Sequence, residues 1–211
     1  MNLLIKLIKP FVGFVVIALL AGCKADSLEI KISNDDVAKA ISGKDSSVAF
    51  EAEFELFGNL DAKQKAELDR LIDLTDSYMD IDDIEIEKTM MGSKLIIEGL
   101  IPISVNKSTS PWYIKVSKWN DLLVEVKLET GTKFGALKSA ITAVNMMLSP
   151  DPYHETKYKL KASGNYVLAP AVEIDGETHL FYSNNVDGRL TMKFVGDPFK
   201  NTGAGFLIDI N

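Results

Sequence analysis

Apolar and polar residues alternate along much of the chain, and this period of two predicts β-strands. In the segment 48–57 every even position is apolar, and the odd positions from 51 to 55 are glutamate. Such alternation is typical of an antiparallel sheet with one face in water. The same pattern predicts strands at 28–32, 81–86, 94–105, 113–116, 122–128, 158–167, 171–174, 179–182, 190–194 and 206–210.

Helices are predicted between these strands. Ser33 or Asn34 is expected to cap a short helix that runs through Ile41. Asp61, with Gln64 three residues later, forms a capping-box pattern that begins a longer helix ending near position 78.

Thr132 is predicted to cap a further helix, because apolar residues follow it at spacings of three and four. Glycine residues predict where the neighbouring strands end or turn. Gly99 is expected to break the segment 94–105, and the dipeptides Asp175-Gly176 and Asp187-Gly188 are expected to form hairpin turns.

These elements predict an α+β fold in which two helices cover one face of a largely antiparallel sheet. The order strand, helix, strand, strand occurs once in 28–106 and again in 111–211. We therefore expect one globular domain over 28–211, with these two segments as possible halves.

The N-terminal segment differs from the rest of the chain. It carries Lys6 and Lys9 and no acid, and an uncharged, largely apolar run follows from Phe11 to Leu20. A basic start followed by a short apolar run is typical of a signal for export. The run is shorter than the roughly 20 apolar residues that cross a bilayer. We expect residues 1–22 to be removed.

The cleavage motif is Leu20-Ala21-Gly22-Cys23, with an apolar residue, two small residues and a cysteine. At this motif the chain resembles bacterial lipoproteins. The resemblance implies that a lipid is attached to Cys23, that the peptidase recognises the three residues before it, and that acyl chains such as palmitate anchor the protein in a membrane. It also implies sorting to the periplasmic face of the outer membrane, since Lys24 stands where an aspartate would retain the protein in the inner membrane.

Residues 23–27 form a short tether, since the alternating pattern starts at Leu28. In this short spacing and in the pattern from Leu28 to Phe57, the chain resembles small uncharacterised lipoproteins of bacterial and prophage origin. That resemblance implies an envelope location and leaves the activity open.

Composition narrows the function classes. Cys23 is the only cysteine of the 211 residues, so no internal disulfide is expected. The formal net charge is −7, and no basic stripe is present to neutralise phosphates. Nucleic-acid binding is therefore not expected.

Candidate sites are few. Trp112, Tyr113 and Trp119 lie in a polar stretch and form a possible binding patch, although such aromatic residues also close the ends of sheets. His154 and His179 each have carboxylates nearby in sequence, but both lie next to turn signals and neither belongs to a known zinc spacing. We expect no metal site, no catalytic residues and no cofactor besides the covalent lipid.

The acidic stretch Asp80–Glu87 alternates with isoleucine and lacks the tight glycine loop of a calcium site, which predicts a solvated strand face. The rows Glu51, Glu53, Glu55 and Lys157, Lys159, Lys161 have opposite charges. We expect the two rows to lie on neighbouring strands or on one face.

The expected function is that of a membrane-anchored envelope protein that binds or supports another component, such as another envelope protein, without catalysis. Two alternatives stay open. One is a protein that uses a cleft between the two halves to bind a metal or small ligand or to hydrolyse a substrate, and the other is a prophage-type exclusion lipoprotein.

Overall fold

Nine strands join in one hydrogen-bonded sheet. A computed structural model describes residues 27–57, 60–90, 92–146, 150–194 and 204–210, with the backbone alone at 56 and 57. The strands are β1 (Ser27–Ser33), β2 (Ser46–Phe57), β3 (Asp80–Lys88), β4 (Gly92–Ser104), β5 (Trp112–Lys118), β6 (Leu123–Thr130), β7 (Thr156–Ile174), β8 (Glu177–Phe194) and β9 (Gly205–Asp209). The helices are α1 (Asn34–Ile41), α2 (Ala62–Asp76) and α3 (Phe134–Val144).

Seven of the strands close into a barrel in the order β1-β2-β4-β5-β6-β9-β7. Closure comes from a parallel pairing in which Leu28–Ser33 of β1 lies beside Thr156–Lys161 of β7. A second parallel pairing joins β4 to β5. Strand β3 pairs with β4, and β8 pairs with β7, so these two strands lie outside the closed ring.

The alternating apolar residues fill the barrel. Ile30, Val126 and Ile208 are fully buried, as the period of two predicts for inward positions. Tyr158 is also fully buried: its ring lies 5.3 Å from that of Phe206, and its hydroxyl donates to the carbonyl oxygen of Ala204 at 3.0 Å. A buried tyrosine is thus fully accommodated, because its one polar group is hydrogen-bonded.

Helix α1 covers one end of the barrel, since it contacts β1, β2, β4, β5 and β7. It begins as predicted: the Ser33 hydroxyl accepts from the Asp36 backbone N–H at 3.2 Å, and the Asp36 carboxylate accepts from the Ser33 N–H at 3.0 Å. Val37 and Ala40 are buried against the barrel core. The predicted capping box of Asp61 and Gln64 is confirmed at the start of α2.

Helices α2 and α3 pack against each other. Leu71 and Leu74 of α2 contact the small cluster formed by Leu137 and Ile141 of α3. The prediction that Thr132 caps α3 is wrong, because the helix begins after Lys133 and no side chain caps it. The Thr132 N–H instead donates to the carbonyl oxygen of Ser108 at 2.9 Å, which holds this residue against the loop before β5.

The predicted α+β class is wrong. The structure is 58% strand and 20% helix, with three helices and a closed barrel where two helices over an open sheet were expected. Alternation shows which side of a strand is buried, but an open sheet with one covered face and a barrel give the same pattern. Closure depends on the β1–β7 pairing, which joins segments more than 120 residues apart and has no local signal. The predicted halves 28–106 and 111–211 both contribute strands to the same ring.

Strands β7 and β8 form one long hairpin where four short strands were predicted. The turn at Asp175-Gly176 is confirmed, and both residues have positive φ, at 53° and 82°. The turn predicted at Asp187-Gly188 is wrong: this dipeptide lies inside β8, opposite an irregularity around Gly164, where the pairing shifts by one residue. The predicted break at Gly99 is also wrong, since β4 is continuous through it.

Candidate functional site

The sequence-predicted site residues are dispersed in the structure. Leu20, Ala21, Gly22 and Cys23 lie outside the described residues. Tyr113 is buried, Trp112 is half-buried at the start of β5, and Trp119 follows the far end of the same strand with 64% of its surface exposed. Trp119 is thus the one exposed aromatic residue of the three.

Trp112 has a packing role. Its indole N–H donates to the carbonyl oxygen of Pro152 at 3.2 Å, and its ring lies 5.3 Å from Phe134 and 5.4 Å from His154. These contacts join β5 to the start of α3 and to the segment before β7. They match the alternative interpretation in which such aromatic residues close the end of a sheet.

The two histidines have separate surroundings. His154 is buried beside Trp112, whereas His179 lies in β8 with its ring 5.8 Å from that of Tyr182. Within the described part of the chain, no three His, Cys, Asp or Glu side chains are arranged to hold a metal ion. The acidic residues of β3 are exposed to solvent along the strand.

The charged rows lie on one outer face of the barrel. Strand β1 separates β2 from β7 and pairs with both, so that Glu29 has Glu51 on one side and Lys157 on the other. The expectation that the rows share a face is confirmed. Nζ of Lys31 lies 3.6 Å from a carboxylate oxygen of Glu51. Strand β1 therefore lies between the two rows and carries charged residues that pair with them.

Glu29 of β1 is the most buried charged residue on this face, with 7% of its side chain exposed. Its carboxylate oxygens lie 2.8 Å from Nζ of Lys157 and 2.5 Å from Nζ of Lys159. Burial raises the pKa of this carboxyl group, but the hydrogen bonds and charges of the two lysines outweigh burial and hold the pKa below its usual value. The cluster stabilises the β1–β7 pairing that closes the barrel.

Replacing both Lys157 and Lys159 with alanine is expected to lower the free energy of unfolding at neutral pH by about 3 kcal/mol, because it leaves a buried carboxylate unpaired. In the wild type, the contribution of Glu29 is present above its ordinary pKa and is lost as the pH falls through its lower folded value. The difference between variant and wild type should therefore shrink in acid. Urea unfolding over a pH series measures it.

Lys161→Ala is the matched control. Lys161 lies on the same strand and face, but its neighbour on β1 is Ser33, so it does not lie beside Glu29. An equal loss in the control, or a loss that does not change with pH, would contradict the role assigned to Glu29.

The outer edge of β8 is the main exposed feature that the sequence did not predict. One edge of β8 pairs with β7 from Glu177 to Phe194, with a gap at Leu180. Apart from a pairing of Lys193 with Glu173, the other edge pairs with no strand of the described residues. Between Thr178 and Val186, the backbone N–H and C=O groups of this edge have no strand partner among the described residues and can pair with another chain.

The first half of this edge carries no charged side chain. Residues 178–186 contain no aspartate, glutamate, lysine or arginine, and Leu180 and Phe181 are 89% and 63% exposed. The sequence pattern predicted a strand at 179–182 but did not show that it lies at an edge. The one available signal was the length of the uncharged run in a chain that is 25% charged.

Strand β3 provides an internal comparison. It is the other strand outside the ring, and six of its nine residues are charged. Charged side chains on an edge strand oppose pairing with other chains. The two open edges of this fold therefore differ: β3 is protected, whereas β8 between Thr178 and Val186 is not.

No helix among the described residues is long and apolar enough to cross a membrane. No protein-family model matches the chain, and a comparison with curated proteins finds no significant match.

Proposed function

We propose that this protein is a lipid-anchored envelope protein without catalytic activity, which binds an extended segment of another envelope protein along the outer edge of β8. The observation that carries the proposal is the open, uncharged edge over residues 178–186. An extended peptide adds to such an edge through backbone hydrogen bonds, while pockets and apolar side chains select its sequence.

The lipid anchor is supported by the motif Leu20-Ala21-Gly22-Cys23 and by its position just before β1. Two or three acyl chains hold a protein firmly at a membrane, at about 0.8 kcal/mol for each buried CH₂ group. Lys24 directly after the cysteine favours the periplasmic face of the outer membrane. The proposed partner is therefore a protein of that compartment.

The exposed apolar residues of β8 favour a protein partner over a polyanion. Leu180 and Phe181 are consecutive residues of β8, so their side chains lie on opposite faces of the strand, and exposed apolar residues on an edge gain free energy when a partner strand covers them. The net charge of −7 opposes binding to nucleic acid. Specificity is expected to come from the apolar residues of the partner strand that pack on Leu180 and Phe181.

Site-specific photocrosslinking tests this function. A photoreactive residue at Asn184, on the edge of β8, is expected to form an adduct with one envelope protein in intact cells. Leu180→Lys should reduce the adduct yield several-fold, because it places a charge in the contact. It should change the free energy of unfolding by less than about 0.5 kcal/mol, since the wild-type side chain is 89% exposed.

Leu122→Lys is the matched control, because Leu122 is 64% exposed in the turn between β5 and β6, away from the edge. It should leave the adduct yield unchanged. No adduct at Asn184, or equal loss with both lysine variants, would overturn the proposal. An adduct between two copies of this chain would show that the edge of β8 binds a second copy and not another envelope protein.

A further inference from the structure

The hairpin between β3 and β4 projects past the beginning of β1. Ser27 of β1 is level with Glu53 of β2, which is level with Ile96 of β4. Strand β4 continues for four more residues in the same direction, to Gly92. At about 3.3 Å per residue, the hairpin extends roughly 13 Å beyond the point where the chain enters β1.

The described residues at the tip of this hairpin include an exposed apolar side chain. The Thr89 backbone N–H donates to the carbonyl oxygen of Gly92 at 3.1 Å and closes the turn. Met90, inside this turn, is fully exposed. Methionine is a flexible, apolar side chain, and full exposure to water at the end of a hairpin gains nothing for the fold.

A second exposed methionine lies toward the same end of the molecule. Met146 follows Asn145, whose side-chain amide donates to the Glu67 carboxylate in the N-terminal part of α2. Helix α2 begins soon after β2 ends at Phe57, and Phe57 is level with Gly92. The end of the barrel from which the chain leaves toward Cys23 therefore carries two exposed apolar side chains.

The tether sets the distance to the membrane. Four residue steps separate Cys23 from Ser27, so even a fully extended chain spans at most about 14 Å. This length is close to the distance by which the hairpin tip extends beyond Ser27. A lipid attached at Cys23 thus allows Met90 to reach the surface in which the acyl chains are embedded.

We infer that the end of the barrel carrying the β3–β4 tip rests on the lipid surface, with Met90 in the headgroup region of uncharged phospholipids. The inference depends on the proposed lipid anchor at Cys23. Apolar side chains enter the boundary between headgroups and acyl chains when they are held close to it. Glu85, Glu87 and Lys88, exposed on β3 behind the tip, together carry a net negative charge, which disfavours an anionic surface and favours zwitterionic lipid.

The contact fixes the orientation of the domain. The turn between β5 and β6 lies at the opposite end of the strands, because β5 runs parallel to β4 and ends at Lys118. Leu122 in that turn therefore faces away from the membrane. Membrane contact at two points, the lipid and the hairpin tip, limits rotation of the domain about its tether.

Depth measurement in vesicles tests the inference. The lipidated protein is reconstituted into phosphatidylcholine vesicles as Met90→Cys or Leu122→Cys, each labelled at its new thiol with an environment-sensitive fluorophore. The thiol of Cys23 does not react, because it carries the lipid. Nitroxide groups on the lipid acyl chains should quench the label at position 90 several-fold more than the label at position 122.

Two outcomes overturn the inference. Equal and weak quenching at both positions, with both variants bound to the vesicles, shows that the tip does not contact lipid although the anchor holds. Failure of both variants to float with the vesicles shows that the anchor itself is absent, which overturns the proposed function as well.

Discussion

Gly131→Ala is expected to lower the free energy of unfolding by about 3 kcal/mol, the upper end of the usual cost of an added group in a packed site. A methyl group at this position would lie 2.0 Å from the carbonyl oxygen of Ser110 and 2.6 Å from that of Ser108. Both atoms belong to backbone, so the loop that leads into β5 has to move. The Gly131 N–H also donates to Pro111 at 2.8 Å, and this bond would be strained.

Gly135→Ala is the matched control, four residues along the chain. Gly135 lies in α3, and a methyl group there would meet no atom within 4 Å. Alanine favours a helix over glycine by up to about 1 kcal/mol, so this variant should be as stable as the wild type or more stable. Chemical unfolding of both variants measures the contrast, and similar free energies for the two would contradict the packing described around Gly131.

Cys23→Ala is expected to move the protein from the membrane fraction to the soluble fraction. In the proposed anchor, acyl chains on Cys23 supply the membrane affinity, and an exposed methionine such as Met90 is too small to replace them. The released protein should keep the wild-type free energy of unfolding, because Cys23 precedes the first strand of the barrel.

Fractionation of cells, followed by unfolding of the released protein, checks both statements. Ser27→Ala is the control, since it changes a residue of the same region without removing the thiol. A Cys23→Ala protein that sediments with membranes as the wild type does would contradict the lipid anchor.

Local features of the fold could be predicted from the sequence. The period of two located the strands. Ser33, one of the two predicted caps, begins α1, and the predicted capping box of Asp61 with Gln64 begins α2. These features depend on residues within a few positions of each other, so their signal is complete in a short window. The Asp175-Gly176 turn belongs to the same class, because aspartate followed by glycine favours the positive φ that a type I′ hairpin turn has at both positions.

Features that depend on distant contacts could not be predicted. Closure of the barrel rests on the pairing of β1 with β7, and an open sheet would give the same alternation. Thr132 looked like a helix cap, but a hydrogen bond to Ser108 holds it outside α3. Asp187-Gly188 has the composition of a turn, yet it lies inside β8 and pairs with Ser163 and Ala162 of β7.

At the candidate site, too, the features that depend on distant contacts could not be predicted. Aromatic residues in a polar stretch suggested a patch of Trp112, Tyr113 and Trp119, but the barrel buries Tyr113 and packs Trp112 against Phe134. The edge of β8 was missed because the position of a strand in a sheet is a property of the whole topology. What distinguished the edge afterwards was the contrast between its uncharged run and the charged residues of β3.

The most direct test of this account is the intact mass of the protein purified from membranes, together with the mass of its N-terminal peptide. The account predicts a chain that begins at Cys23 and carries diacylglycerol on the cysteine sulfur. A membrane-derived chain that keeps residues before Cys23, or one with an unmodified Cys23, would contradict it.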